Sequence, residues 1–436
     1  LICSQDNFNT FTTSYTFTNT RLEDLEISGD GAYIYITDFS GNIYKSNNFG
    51  TTFQTLSNFK NKDFADIKCC YDGSKVFISL LSNEFQTLYK SEDYLANISA
   101  CHLRSKREFD YSLVSDDLNK ILLLNSGCNS LLSEDGGKNF VELNNSDFLS
   151  ISDVEADSNL STILLLNNRS IYRLKDLAIS WQILSPGGKN FWNDIDISSD
   201  GKTIVALNDN EIYLSLDGGI NFENITFTND IFKQCKISYP GDYIVIISSN
   251  SIYVYNICKT TFVNTFIQLS NKYYLPIIKI SKNSKSMVIF SNSYYSTAEF
   301  YFSNDYGKTW KSDWTREGIG ITCLDLSADG DFFIFVEEYI YGMASYGGYI
   351  HRYFNNLTEN EAFYDYPKII PGSCAISNDN NTCFIIGNSS VYSSTDKGKT
   401  WQEKELSSIN FFVNLEYPDL LYFGISNDNK KLVVIK

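Results

Sequence analysis

Short apolar runs recur along this chain, each set off by polar turns. Ile121-Leu-Leu-Leu124, Ile163-Leu-Leu-Leu166, Ile204-Val-Ala-Leu207 and Ile244-Val-Ile-Ile247 are continuous rather than alternating, the pattern of strands covered on both faces. Each is preceded by a short strand and an Asp-Gly, Pro-Gly or Asn-rich turn, as a hairpin connection requires. Asp194-Ile-Asp-Ile-Ser-Ser-Asp-Gly-Lys-Thr-Ile-Val-Ala-Leu207 is the clearest copy. Ten such copies begin near Asp24, Asp66, Tyr111, Asp153, Asp194, Gln234, Ile277, Cys323, Ser373 and Tyr422. A third strand follows, such as Glu211-Ile-Tyr-Leu214, then a tight hairpin, then a fourth strand from near Phe222. Four strands per repeat of about 40 to 50 residues predict propeller blades.

The tight hairpin has its own signature. Ser303-Asn-Asp-Tyr-Gly-Lys-Thr-Trp310 returns as Ser394 to Trp401, Ser133 to Phe140 and Ser215 to Phe222, and as Ser46 to Phe53 with Asn48 in the acidic place. The aspartates Asp135, Asp217, Asp305 and Asp396 are expected to accept hydrogen bonds from the backbone two residues on. Gly50, Gly137, Gly219, Gly307 and Gly398 supply a positive φ, and Trp310 and Trp401 anchor the returning strand. The second repeat (Ser91-Glu-Asp93-Tyr-Leu), the fourth (Leu174-Lys-Asp176 running to Trp181) and the sixth (Tyr255 to Phe262) lose the glycine. Other turns are expected there, and the seventh repeat shows no such hairpin.

The motif Ser-x-Asp-x-Gly-x-Thr-Trp resembles the Asp-box, or bacterial neuraminidase repeat, of sialidases, xyloglucan-degrading enzymes and the sortilin family. The resemblance implies a structural hairpin without catalysis. Ten repeats resemble the ten-bladed propeller of the sortilin family. The fold expected is therefore all-β, a single ten-bladed β-propeller over residues 1–436, with two smaller tandem propellers as the alternative. The last repeat stops at Lys436, and the chain opens with Ser4-Gln-Asp6-Asn-Phe-Asn-Thr-Phe11, a box lacking its glycine, then a strand candidate at Ser14 to Phe17. Residues 1–20 are thus expected to complete the last blade and remove two exposed strand edges.

Composition narrows the setting. The 436 residues include 31 Phe, 30 Tyr and only 2 Met, which suits strands. The net charge is −17 with no long basic run, so nucleic acid is not an expected partner. No apolar run reaches the roughly 18 residues that cross a bilayer. Ten cysteines, a first residue Leu1 that fits a removed leader, and sequons at Asn97, Asn144, Asn159, Asn168, Asn224, Asn356, Asn380 and Asn388 point to a secreted, extracellular or luminal glycoprotein. Disulfides are expected locally: Cys374 with Cys383, Cys235 with Cys258, and Cys101 with Cys69 or Cys70.

The chemistry of a sialidase is missing. It needs an arginine triad, and the seven arginines (Arg21, Arg104, Arg107, Arg169, Arg173, Arg316, Arg352) show no convergent placement. A glycosidase needs two carboxylates in a cleft, and Glu337, Glu338 and Asp365 are the acids least explained by turns. Two histidines, His102 and His351, exclude a multi-histidine metal site, and no cofactor is expected. Arg104-Ser-Lys-Arg107 is placed in a basic loop, and the aromatic insertions Tyr339 to Tyr353 and Phe363 to Tyr366 suit protein or glycan contact. The reading is a non-catalytic interaction or assembly module that binds protein or glycan partners or itself. A sortilin-like receptor ectodomain and an Asp-box glycoside hydrolase are the alternatives.

Overall fold

Every apolar run becomes the second strand of an antiparallel sheet, because it is shielded on both faces. The computed structural model describes residues 2–4, 12–13, 22–57, 59, 63–81, 86–105, 109, 111–115, 117–125, 130–143, 151–167, 170–175, 180–188, 191–263, 267–268, 276–291, 299–314, 319–341, 344–354, 360–366, 371–377, 380–387, 390–405, 422–425 and 432–435. Among them are nine four-stranded sheets and one five-stranded sheet, all antiparallel meanders apart from one sheet joined from both chain ends. The protein is all-β, in the manner of a β-propeller.

Two compact units divide the chain. The first combines Leu1–Leu149 with Ser408–Lys436, and the second is Ser150–Ser407. The first unit holds sheets with leading strands Leu22–Ile27, Asp63–Cys69 and Tyr111–Val114, here sheets one to three, and the sheet made from the termini. The second holds sheets four to nine, led by Asp153–Ala156, Asp194–Ile197, Phe232–Ile237, Ile277–Ile280, Ile319–Leu326 and Pro371–Ile376.

The core lies between sheets rather than inside any one. In the second unit Val205, Leu207, Ile212 and Leu214 of sheet five pack against Phe232, Cys235, Ile237, Ile244 and Ile246 of sheet six. Burying each such side chain contributes about 1.5–3 kcal/mol, so a sheet cannot stand without its neighbour.

The hairpin box has one hydrogen-bonding plan. Ser303 Oγ donates to Asp305 Oδ1 at 2.9 Å and accepts the Gly307 N–H at 2.9 Å. Asp305 accepts the Thr309 N–H at 2.8 Å and the Thr309 hydroxyl at 2.7 Å. The carboxylate thus caps the residue four on, not two on as expected, because two of the three residues between are left-handed: Tyr306 has φ 64° and Gly307 φ 76°. The second sheet corrects a further expectation. Without the glycine it still builds the box, with Leu95 at φ 61° donating to Ser91 Oγ and Asp93 capping the Asn97 N–H. The seventh sheet also has a box, Ser303 to Trp310 itself, since Glu299–Ser303 pairs with Met287–Ser291 on one side and with Lys311–Trp314 on the other. A longer interval between second and third strands had shifted that box out of repeat spacing.

The terminal sheet runs Thr12–Thr13, Ile2–Ser4, Leu432–Ile435, Tyr422–Ile425, with Cys3 opposite Val433. The strands from the N-terminus therefore precede the expected Ser14 to Phe17, which lies outside the described residues, as does Asp6. Arg104 lies on the strand Ser99–Ser105 instead of in a loop.

Candidate functional site

The box residues Asn48, Asp135, Asp217, Asp305 and Asp396 all cap their own hairpins. Gly137, Gly219, Gly307 and Gly398 face the preceding sheet: a Cβ on Gly307 would stand 2.6 Å from Val254 Cγ2. Gly398 and Gly219 are approached by Arg352 and Arg173, which donate to the Lys397 and Gly218 carbonyls of the next sheet's box. Lys45 does the same for Tyr94 in the first unit. Trp310 Nε1 donates to the Gly307 carbonyl, and Trp401 is buried. The left-handed x-Gly pair is therefore also a socket for a cation from the neighbouring sheet, a role that sequence reading missed.

Cys69, Cys70, Cys101, Cys235, Cys258, Cys374 and Cys383 are all free thiols, as is Cys323, so the expected local disulfides are not formed. Cys374 stands opposite Ile385 and Cys383 opposite Ile376, a diagonal offset instead of a facing pair. Of the sequons, Asn159 and Asn224 are exposed, Asn97 donates to Asp93, and Asn380 accepts the Asp329 N–H. Asn144, Asn168, Asn356 and Asn388 lie outside the described residues. Glu337 and Asp365 sit in strands, both opposite Tyr349, with Glu338 opposite Gly348. His351 stacks on Phe335 at 4.7 Å.

Carboxyls that reach the following sheet collect instead on the leading strands. Asp24 accepts the Ile67 N–H at 3.0 Å and Glu26 the Cys69 N–H at 3.5 Å. In the second unit Asp194 accepts the Cys235 N–H at 2.7 Å, Asp196 the Ile237 N–H at 2.5 Å, and Asp325 the Ile376 N–H at 2.8 Å. Each carboxylate covers an edge-strand donor of the following sheet, which would otherwise be unpaired. Burial pushes Glu26, Glu155 and Asp194 up to about 7. Lys236 lies 3.2 Å from Glu155 and 3.1 Å from Asp196, yet burial outweighs its attraction and both acids stay raised. Because the arrangement recurs at several sheet junctions, its first role is to join sheets. Among the described residues no group of His, Cys, Asp and Glu forms a metal site, and no helix is long and apolar enough to cross a membrane.

The second feature is a groove of about 780 Å³ at the end of sheet five opposite its box, lined by Phe191, Asn208, Asp209, Asn210, Glu211, Asn224 and Thr226. The hairpin Leu207 to Ile212 builds its floor. Asn208 Oδ1 accepts the Asn210 and Glu211 N–H groups at 2.9 and 2.8 Å. The Glu211 carboxylate is held between the Asn208 and Asn224 amides, each at 3.4 Å, and Asp209 accepts from Asn193 at 2.9 Å. Phe191, 66% exposed and at φ 78°, stands at the rim. Seven of the eleven exposed large apolar side chains among the described residues fall between Ile183 and Tyr239, so apolar exposure concentrates around this sheet.

No protein-family model matches the chain, and no curated protein matches it closely. Several solved structures resemble it. A GH74 enzyme of Niastella koreensis is 16% identical, with 88% of this chain and 71% of that one covered at a TM-score of 0.35. The β-propeller domain of Cps50 (Swd1) from Myceliophteria thermophila is 6% identical, covering 65% and 94% at a TM-score of 0.39. A eukaryotic initiation factor is 8% identical, covering 83% and 96% at a TM-score of 0.53. At such identities the likeness bears on the fold alone, and the repeated four-stranded antiparallel sheets make this an all-β chain in the manner of a β-propeller.

Proposed function

We propose that this chain is a non-catalytic β-propeller module that binds a neutral glycan in the groove of sheet five. The observation that carries the reading is Phe191, an exposed aromatic face beside Glu211, an acceptor pre-set by two amides, with no cation among the described lining residues. Such a lining suits a partner that offers hydroxyl donors and an apolar ring face, and it repels anions. The ten-bladed, sortilin-like arrangement and the extracellular or luminal setting belong to the same reading. The sheet shared by the two chain ends and the exposed sequons at Asn159 and Asn224 support them.

Asn224 lines the groove, so the test uses chain made in a host without N-glycosylation. Titration with a panel of neutral oligosaccharides, followed by the fluorescence of the adjacent Trp192 and by calorimetry, is expected to find a saturable ligand. Phe191→Ala is expected to weaken binding at least 10-fold. Failure of every oligosaccharide at millimolar concentration sinks the reading. A glycoside hydrolase is the second reading, favoured by one observation: Glu155, raised to about 7 and shared through Lys236 with Asp196, has the makings of a proton donor. Reducing sugar released in the same titrations and lost in Glu155→Gln would replace the first reading by the second.

A further inference from the structure

The leading strands of sheets eight and nine, Ile319–Leu326 and Pro371–Ile376, run alongside each other in the second unit. Their latch is half of the usual one. Asp325 accepts the Ile376 N–H, as Asp196 does for Ile237. Two residues earlier, where sheets one and five carry Asp24 and Asp194, sheet eight carries Cys323. The ladders confirm the equivalence: Asp194 stands opposite Leu207, Asp24 opposite Thr37 and Cys323 opposite Val336, each on the second strand of its own sheet. The residue that Asp194 meets is Cys235, and its counterpart across from Cys323 is Cys374. The thiols of Cys323 and Cys374 are hydrogen-bonded, and both residues are half-buried against the core of sheets eight and nine.

We propose that Cys323 and Cys374 are a redox-controlled latch, a dithiol that an external disulfide oxidant converts into a covalent bond between the two leading strands. In the first step the Cys323 thiolate attacks one sulfur of a disulfide such as oxidised glutathione, forming a mixed disulfide and releasing one glutathione thiolate. Cys374 then gives its proton to solvent or to that thiolate. Its sulfur displaces the second glutathione from Cys323. Two protein thiols and one external disulfide become one protein disulfide and two glutathione thiols. Burial and the neighbouring Cys323 hold the Cys374 thiol up, which assigns Cys374 the second, resolving position. Closing a loop of about 50 residues restricts the unfolded chain strongly.

The full chain is equilibrated in oxidised or reduced glutathione, alkylated in the native state, digested and read by mass spectrometry. The expected product of oxidation is a linked peptide pair containing Cys323 and Cys374, absent after reduction. The thermal midpoint is expected to rise by about 2–5 °C on oxidation, and Cys323→Ser should abolish both the link and the rise. Alkylation of both cysteines after oxidation overturns the proposal, as does a link from either to a different cysteine. Should Cys323→Ser fail to fold, the linked peptide and the midpoint of the unaltered chain decide alone.

Discussion

At the residue scale the box is a contest between hydrogen bonds and backbone sterics, and the sterics win. Asp305 accepts from Ser303 and from both groups of Thr309, but Thr309 is exposed, so water replaces the lost acceptor. Asp305→Ala is therefore expected to cost only about 1 kcal/mol. Gly307 has no such substitute: a Cβ there meets Val254 at 2.6 Å, at φ 76°. Gly307→Ala adds left-handed strain of roughly 1–2 kcal/mol to an overlap with buried side chains, about 2–4 kcal/mol in all. Urea unfolding of the two variants should rank them in that order, and equal losses would refute the account. The glycine of the motif was readable in the sequence because only Gly marks the position so plainly. The left-handed residue before it was not, since Phe49, Tyr94, Tyr306 and Lys397 carry ordinary side chains. Leu95 shows the limit of the signal: its burial at 3% exposure and the hydrogen bond to Ser91 hold a left-handed leucine where the motif asks for glycine.

At the scale of the element, the leading strands of sheets one, four and five carry carboxyls on alternate residues, and those of sheets one and five hand both to the next sheet. Asp24 and Glu26, Asp153 and Glu155, and Asp194 and Asp196 are visible as alternation in the sequence, but their partners are not. The N–H that Asp194 covers lies 41 residues on, one repeat away, and only the packing of leading strands reveals it. That distance is also why sequence reading chose Glu337, Glu338 and Asp365 as the unexplained acids. A pH dependence follows. Burial raises Glu26, Glu155 and Asp194 from the ordinary carboxyl range to about 7. Their contribution to stability is complete below about pH 4 and is lost as pH rises through 7. The box carboxylates act oppositely: backbone and side-chain donation by Asn221 holds Asp217 down to about 2, so its contribution is present above about pH 4 and lost below. The thermal midpoint should thus fall between pH 5 and pH 8, by on the order of 1–2 kcal/mol of stability for each raised acid after solvent screening. Glu155→Gln should flatten the fall, and a midpoint that rises over this interval would contradict it.

For the whole molecule, the deciding element is the sheet shared by the two chain ends. The repeat count made it legible, because a final repeat with two strands implies a partner elsewhere. Its strands were not fixed by the motif, since Ile2–Ser4 precedes the box at Ser4, where a third strand belongs, and only then does Thr12–Thr13 return. Within the first unit the strand Tyr422–Ile425 runs beside Leu22–Ile27, so this sheet also presents a leading strand to sheet one. Removing residues 1–13 leaves Leu432-Val-Val-Ile435 as an unpaired apolar edge. An edge of that kind recruits another strand. The truncated chain is therefore expected to lose about 5–10 °C of thermal midpoint and to self-associate in light scattering at micromolar concentration. A synthetic peptide of residues 1–13 should restore both the midpoint and the monomer, since it returns the ladder Ile2 to Val434, Cys3 to Val433 and Ser4 to Leu432. A truncated chain that stays monomeric with an unchanged midpoint would mean that the two ends do not hold one sheet, and sheet one would then have to keep its leading strand without that neighbour.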